Sequence, residues 1–435
     1  MSDYQKINFS ENRNENTTIF GIRNEIMLGR SSRVWYSIGS VTDPDHAIPM
    51  LRLALTPGVG PVLGRRLIDA FGSAECVLGA SVGRLAQVRG IAQHTADKIA
   101  RGIATTETLA REELGRALDG GAVVIGWGDP AYPELLAPIE DAPLVLWARG
   151  AMDGASMRYR VAMVGSRRCT PYGVEQAERF ASALAQAGLT IVSGGARGID
   201  TAAHRSAVRV GGRTIVVSGC GLSRAYPPEN AALFEEIVAS GGAVVSELAM
   251  ATPPTPENFP ARNRIISGMS LGVVVIEAPQ GSGALITAKQ AGEAHGREVM
   301  AVPGRVDSSA SVGSNQLIRD GAAALVTCAS DVLEILREPA RGQFSQSAAA
   351  PCRAPVAGRV VAAPVPAAPS PGFEAALGSL SADQRRLWEA LESPATMDEL
   401  TRATGLDAGR VLADATILEM KKLVSRQGSR LVRAR

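Results

Sequence analysis

The chain has 435 residues, with 45 Lys and Arg against 43 Asp and Glu, a net charge of +2. That balance excludes a global positive field as the means of holding a polyanion, so such binding must come from local patches. Aromatics are only 4 % of the residues, which argues against an aromatic platform as the main binding mode, and the length predicts about three domains.

The five cysteines, Cys76, Cys169, Cys220, Cys328 and Cys352, are scattered, with no C-x-x-C pair, and there are four His. No zinc set follows, and an odd, dispersed count suits a reducing cytoplasm. No apolar run is long enough to span a bilayer. The first residues, with Glu11, Arg13 and Glu15 among Asn and Thr, lack the apolar core of a signal peptide. No metal or cofactor is expected.

Residues 1–45 are polar and patternless and read as disordered or as a mis-assigned start. Residues 46–115 read as a small helical domain whose pattern of helix, glycine hairpin and helix resembles tandem helix-hairpin-helix modules. Leu51 to Pro61, ending Pro-Gly-Val-Gly-Pro, leads into the apolar-periodic run Val62 to Phe71, and the pattern recurs weakly from Leu85 to Ala92 into His94 to Ala100. Glycine hairpins before helix N-termini can hold a DNA phosphate on backbone N–H groups, and such modules also serve protein contacts. Both uses are open here.

Residues 116–337 read as the main domain. Short apolar runs at Ala122–Ile125, Leu144–Trp147, Val161–Val164, Thr190–Ser193, Thr214–Val217, Ala243–Ser246, Val273–Ile276, Val299–Val302 and Ala324–Val326 alternate from the third onward with helical stretches. This predicts an α/β fold, an extended Rossmann-like, mostly parallel sheet with helices on both faces, the first two strands extending it. Ligands then bind beyond the carboxyl ends of the strands.

Three glycine turns fall at such ends. The first is Gly165-Ser166-Arg167-Arg168, the second runs from Gly194 through Arg197 and Gly198 to Asp200, and the third is Gly281-Ser282-Gly283 with Thr287 and Lys289 in the helix that follows. Glycine turns before helices make anion nests. No G-x-G-x-x-G or G-x-x-x-x-G-K-[ST] motif is present, and the second strand ends in Ser193-Gly-Gly with no acid to hold a ribose, which disfavours a nucleotide cofactor. A fourth block, Phe259-Pro-Ala-Arg262-Asn263-Arg264-Ile-Ile266, opens a helix. Its two arginines cannot share a helix face. One is expected to reach outward to phosphate while the other pairs inward with Glu247 or Glu277. Three nests with basic residues at one sheet edge suit a polyanion running along it.

Residues 338–375 are rich in Ala, Pro and Ser and read as a linker. Residues 376–435 carry three helical stretches and a hairpin in the order of a winged helix, with Lys421, Lys422, Arg426 and Arg430 around the wing. The would-be recognition helix, with Asp407, Arg410, Asp414 and Glu419, is not strongly basic. Docking on protein is favoured for it, with DNA reading open.

Seven blocks occur in order: Gly165-Ser-Arg, Ser193 through Asp200 to His204, Gly219 through Tyr226-Pro227 to Asn230, Ser246-Glu247, Phe259 to Ile266, Ser282 to Ala288, and Val302-Pro-Gly304. Together they resemble the DNA-processing protein A (DprA/Smf) family. The resemblance implies an extended Rossmann-like homodimer of natural transformation, with no known catalysis. Such a protein binds and protects incoming single-stranded DNA and loads the RecA recombinase onto it. It implies DNA contact at Ser166, Arg167, Arg197, the Arg262–Arg264 block and the Gly281–Lys289 turn. Thr170 stands where the family often has Ser, which keeps the hydroxyl.

The rival reading is a phosphoribohydrolase of the lysine-decarboxylase-like group. Its P-G-G-x-G-T turn is replaced here by Gln280-Gly-Ser-Gly. Glu247 and Glu277 are expected to orient arginines, not to catalyse, and an assay of base release from nucleoside monophosphates separates the two readings.

Overall fold

A computed structural model describes residues 23–28, 32–37, 44–152, 159–347, 377–378, 380–421, 423–427 and 430–433. The first described element is an antiparallel hairpin, β1 (Arg23–Leu28) and β2 (Ser32–Ser37). Disorder was the expectation across 1–45. The stretches Glu25-Ile-Met-Leu28 and Val34-Trp-Tyr36 hold the β-branched and aromatic residues that strands favour. The rest of that stretch lies outside the described residues, apart from the start of the next helix.

Five helices follow: α1 (Pro44–Ala54), α2 (Pro61–Phe71), α3 (Ala74–Leu78), α4 (Val82–Ala86) and α5 (Gln93–Asp119). Pro61 suits the first position of α2, where its missing N–H costs nothing, and Gly72 closes the helix at φ 90°. The 27-residue α5 runs through the expected domain boundary at 115. The reason is burial: Ala110, Glu113 and Ala117 continue its inner face. Gly64 of α2 lies so close to Leu144 that a Cβ there would meet its side chain at 2.3 Å. One apolar core therefore runs from Leu51, Leu67 and Ile99 to Trp147 and Phe234.

The sheet contains β3 (Ala122–Gly126), β4 (Val145–Gly150), β5 (Arg160–Val164), β6 (Thr190–Ser193), β7 (Thr214–Val217), β8 (Ala243–Ser246), β9 (Gly272–Val275), β10 (Glu298–Ala301) and β11 (Ala324–Leu325). Its nine strands lie in the order β11-β10-β9-β5-β6-β7-β8-β4-β3. From β11 to β8 neighbours are parallel, and β4 and β3 extend that edge antiparallel. Strands buried on both faces read as unbroken apolar runs, as β5 and β9 do. The crossovers are α6 (Pro171–Gln186), α7 (Ile199–Arg209), α8 (Ala231–Ala239), α9 (Asn258–Gly268), α10 (Gly283–Lys289) and α11 (Val312–Arg319). Strand order reverses between β5 and β9, so the crevice beyond their carboxyl ends is where such a sheet takes a ligand.

The closing helix α12 (Ala329–Ser347) continues past 338, where a linker was expected to start. Leu333, Leu336 and Ala340 bury its inner face and carry the helix through Pro339. The tail forms α13 (Ala382–Ala390), β12 (Ala395–Thr396), α14 (Met397–Thr404), α15 (Ala408–Met420), β13 (Val424–Gln427) and β14 (Arg430–Arg433). Ser381 and Thr396 start α13 and α14 with reciprocal capping boxes.

The would-be recognition helix, α15, packs on α12, a protein contact of the kind favoured for it. Ile417 and Met420 enter the same core as Leu333 and Leu336. The Tyr159 hydroxyl donates to the Met420 carbonyl at 2.5 Å, and Gln384 Nε2 donates to the Ala187 carbonyl at 2.8 Å. Among the described residues, no helix is long and apolar enough to cross a membrane.

Candidate nucleic-acid interface

The crevice is built from the turns that leave β5, β6, β7 and β9 and from the start of α9. The first turn is tied to the last strand's end, because Ser166 N donates to the Glu277 carbonyl at 2.7 Å. Ser166 is buried, and its hydroxyl accepts from Arg168 N at 3.1 Å. Arg167 and Arg168 are exposed, and neither makes an ion pair among the described residues. The Arg167 guanidinium lies 5.2 Å from the centre of the Phe259 ring. Gly165 has to be glycine because a Cβ would strike Ile199 at 2.5 Å.

Glu277 does not orient an arginine, as had been expected. Its carboxylate accepts from Thr170 N at 2.7 Å and from the Thr170 hydroxyl at 2.6 Å. The Thr170 hydroxyl in turn accepts from Gly173 N, so the α6 N-terminus already holds an anionic side chain.

The second turn is filled from inside as well. The Asp200 carboxylate accepts from Gly194 N at 3.1 Å and from Ala196 N at 3.2 Å. Gly198, at φ 78°, passes so close to the first turn that a Cβ would meet the Ser166 carbonyl at 2.3 Å. The two turns thus form one packed unit. Arg197 stands out from it, exposed, and donates to the Glu229 carboxylate, which keeps the guanidinium protonated beyond its usual range.

Neither arginine of the α9 block reaches outward, contrary to expectation. Arg262 is buried and donates to the carbonyls of Gly194 and Val217. Burial pulls its pKa down to about 10, against the opposing pull of Asp200. Arg264 is also buried, 2.6 Å from Glu247 and 3.3 Å from Asp141. Two residues apart on a helix, they point to different sides, yet α9 is covered on both: by the β6 and β7 ends on one and by residues 136–141 on the other. Burial raises the Glu247 pKa, with Arg264 working against it.

The third turn is open. Gly281 and Gly283 are exposed, with nothing within 4 Å of where a Cβ would stand. Ser282 caps α10 by accepting from Ala284 N at 3.3 Å. Asn263 Nδ2 donates to the Gly283 carbonyl at 3.5 Å, which joins this turn to α9. Thr287 is buried and donates back to the same carbonyl, at 3.4 Å. Lys289 ends the helix, exposed, 3.8 Å from Glu293.

Sequence reasoning missed an aromatic pair on this rim. The Tyr226 and Phe259 rings are 5.3 Å apart and tilted by 39°, and both are partly exposed. Phe259 also fills the space over Gly219, where a Cβ would clash at 2.6 Å. The signal was available: Tyr226 sits in a strand-end loop and Phe259 in the first turn of α9, both at the carboxyl ends of the strands and outside the apolar runs that form the core. The rim therefore carries Arg197, Tyr226, Phe259 and Arg167, with the open Gly281–Gly283 turn joined to α9 through Asn263. It can offer guanidinium groups to phosphate and ring faces to bases.

A Rossmann-like sheet with such a rim, set between a helix-hairpin-helix unit and a winged helix, defines a protein of DNA processing. The DNA recombination-mediator protein A family model matches residues 123–337, a DprA winged-helix domain matches 362–429, and a SAM-like helix-hairpin-helix tandem matches 51–110. A DNA processing protein DprA of Mycobacterium tuberculosis is 34 % identical over 420 residues, spanning 91 % of this chain and 93 % of that one. Protein Smf of Synechocystis is 40 % identical over 274 residues, or 62 % and 68 % of the two chains. The X-ray structure of DNA processing protein A from Streptococcus pneumoniae superposes with a TM-score of 0.58 at 33 % identity, covering 66 % of this chain and 97 % of that one. The chain belongs to the DprA/Smf family of recombination mediators.

Proposed function

We propose that this protein binds single-stranded DNA without regard to sequence, protects incoming strands and loads the RecA recombinase onto them, as a non-catalytic homodimer in the cytoplasm. The observation that carries the reading is the placement of Arg167 beside Phe259 at the switch point of the sheet, exposed and free of any ion pair among the described residues. Phosphates neutralised there release counterions, and ring faces stack on any base. Arg168, Arg197 and the Gly281–Gly283 turn extend the same edge. Gly165, Ser166, Gly194, Gly198, Arg262 and Arg264 shape it from beneath, and Asn263, Thr287 and Lys289 flank the open turn.

For the homodimer, exposed Val306, Val312 and Leu325 lie around the β10–β11 end of the sheet, away from the helix-hairpin-helix unit, and offer an apolar surface.

Titration of single-stranded and duplex DNA over a salt series tests the reading. Single strands of unrelated sequence bind alike, with affinity falling steeply as salt rises. Arg167→Ala weakens binding and flattens the salt slope by about 0.7 for a lost phosphate contact. A salt-independent affinity, or a slope that Arg167→Ala leaves unchanged, refutes it.

A further inference from the structure

The helical domain carries a second concentration of positive charge, separate from the rim. A groove of about 560 Å³ lies between α2 and the segment from α4 to the turn before α5. Arg66, Arg84 and Arg89 line it, together with Phe71. Arg84 and Arg89 are exposed and make no ion pair among the described residues. Among the described residues Arg66 pairs only with Glu140, at 3.8 Å, with both side chains mostly in solvent. Asp69, the acid in the lining, is 3.9 Å from Arg65 on the same helix.

The geometry draws the three cations together. The Arg84 guanidinium sits over the Phe71 ring, 4.8 Å from its centre. Arg66 Nη1 comes within 3.5 Å of the space a Cβ on Gly90 would fill. Gly90, at φ 87°, turns the chain sharply beside Arg89. Like charges gathered in one groove repel unless an anion is shared among them, and a guanidinium presents paired N–H donors that match phosphate oxygens.

We propose that this groove binds the phosphodiester backbone of a nucleic acid strand, as a second site independent of the rim. The contact is made by arginine side chains, with Phe71 beneath Arg84, so it reads charge and not sequence. Single-stranded and duplex DNA share this chemistry, and either can be the source.

The test uses the full chain and fluorescence anisotropy over a salt series, with a short single strand, a long single strand and a duplex. It compares wild type, the groove variant Arg66→Ala/Arg84→Ala/Arg89→Ala and the rim variant Arg167→Ala/Arg197→Ala. The groove variant loses about tenfold or more in affinity for the long single strand or the duplex. Its salt slope falls by about 2 on the single strand or by nearly 3 on the duplex, for three lost phosphate contacts. The short strand, held at the rim, is bound as before. Loss on the single strand alone or on the duplex alone identifies the source, and both support the site. Unchanged affinity and slope on both ligands overturn it and leave the groove to an acidic protein partner.

Failure of the rim variant to change binding counts against the function proposed above and leaves this inference standing. Circular dichroism confirms the fold of each variant. Should the triple variant not fold, Arg89→Glu alone, at the exposed turn, lowers the slope by about 1 if the groove holds phosphate, and leaves it unchanged if it does not.

Discussion

Arg262 donates to the Gly194 carbonyl at 2.7 Å and so holds the second glycine turn from beneath, where the sequence suggested a cation facing a ligand. Its charge also opposes the burial that raises the pKa of Asp200, whose carboxylate accepts the Gly194 and Ala196 amides. Arg262→Ala leaves that carboxylate buried without its cation. It also strips the Gly194 and Val217 carbonyls of a charged donor, at about 1.5–3 kcal/mol per bond, and urea denaturation of the variant is expected to show a loss of at least that size. Arg167→Ala, on the surface, shifts stability by no more than about 0.5 kcal/mol. Equal stabilities for the two variants would contradict this division between support and surface.

Glu229 restrains the other outward guanidinium. It accepts from Arg197, and that contact holds its own carboxyl below the usual range. Both side chains are about half exposed, so the pair adds little to stability. An approaching phosphate, however, must compete with this carboxylate and is repelled by it. Glu229→Gln is therefore expected to raise single-strand affinity several-fold at low salt, with the gain shrinking as salt rises. A fall in affinity would mean that the carboxylate positions Arg197 for the ligand.

The parallel sheet was legible because a strand buried on both faces has one signature, a short apolar run between glycine turns, and Val161–Val164 and Val273–Val275 carry it. The rim was legible in part. Arg167 and Arg197 follow glycines at strand ends, and the chain has no other course there than over the surface. The fate of Arg262 and Arg264 was not legible. Spacing fixes the angle between two side chains on a helix, not what covers each face, and here residues 136–141 return from far along the chain to cover the second face. The same holds for Glu277. Sequence marks it as an acid at a strand end, whereas its choice of Thr170 over an arginine depends on how β5 and β9 stand side by side.

The docked winged helix makes its own prediction. Gln384 Nε2 bridges the Ala187 carbonyl and Asp414 Oδ1, at 2.8 and 3.3 Å, and ties α13 and α15 to the end of α6. In an Ile417→Cys background the new thiol faces α12 and should be labelled slowly. Adding Gln384→Ala removes the bond to Ala187 that joins the winged helix to α6, worth about 1 kcal/mol, along with its bonds to Asp414 and Ser381 inside the winged helix, so labelling at that position should accelerate at least about fivefold, read by peptide mass spectrometry. An unchanged rate would show that apolar contact around Ile417 and Met420 holds the domain without that bond.

His204 gives the fold a dependence on pH. It is fully buried, and Nδ1 lies 2.6 Å from the Thr214 hydroxyl. That hydroxyl already donates to the Ile191 carbonyl at 2.7 Å, so Nδ1 carries the proton and Nε2 is left without a partner. Charging the ring would place a second N–H where nothing accepts it. Burial first, and then the nearby Arg262 charge, bring the pKa down to about 3 from 6.5. The unfolded chain therefore binds a proton between those values that the folded chain does not, and stability falls as pH drops through that window. His204→Gln removes this contribution while other groups titrate as before. The stability difference between wild type and variant should narrow by roughly 2 kcal/mol from pH 7 to pH 5. A difference that stays constant over that range would mean that the folded protein accommodates a charged ring at position 204.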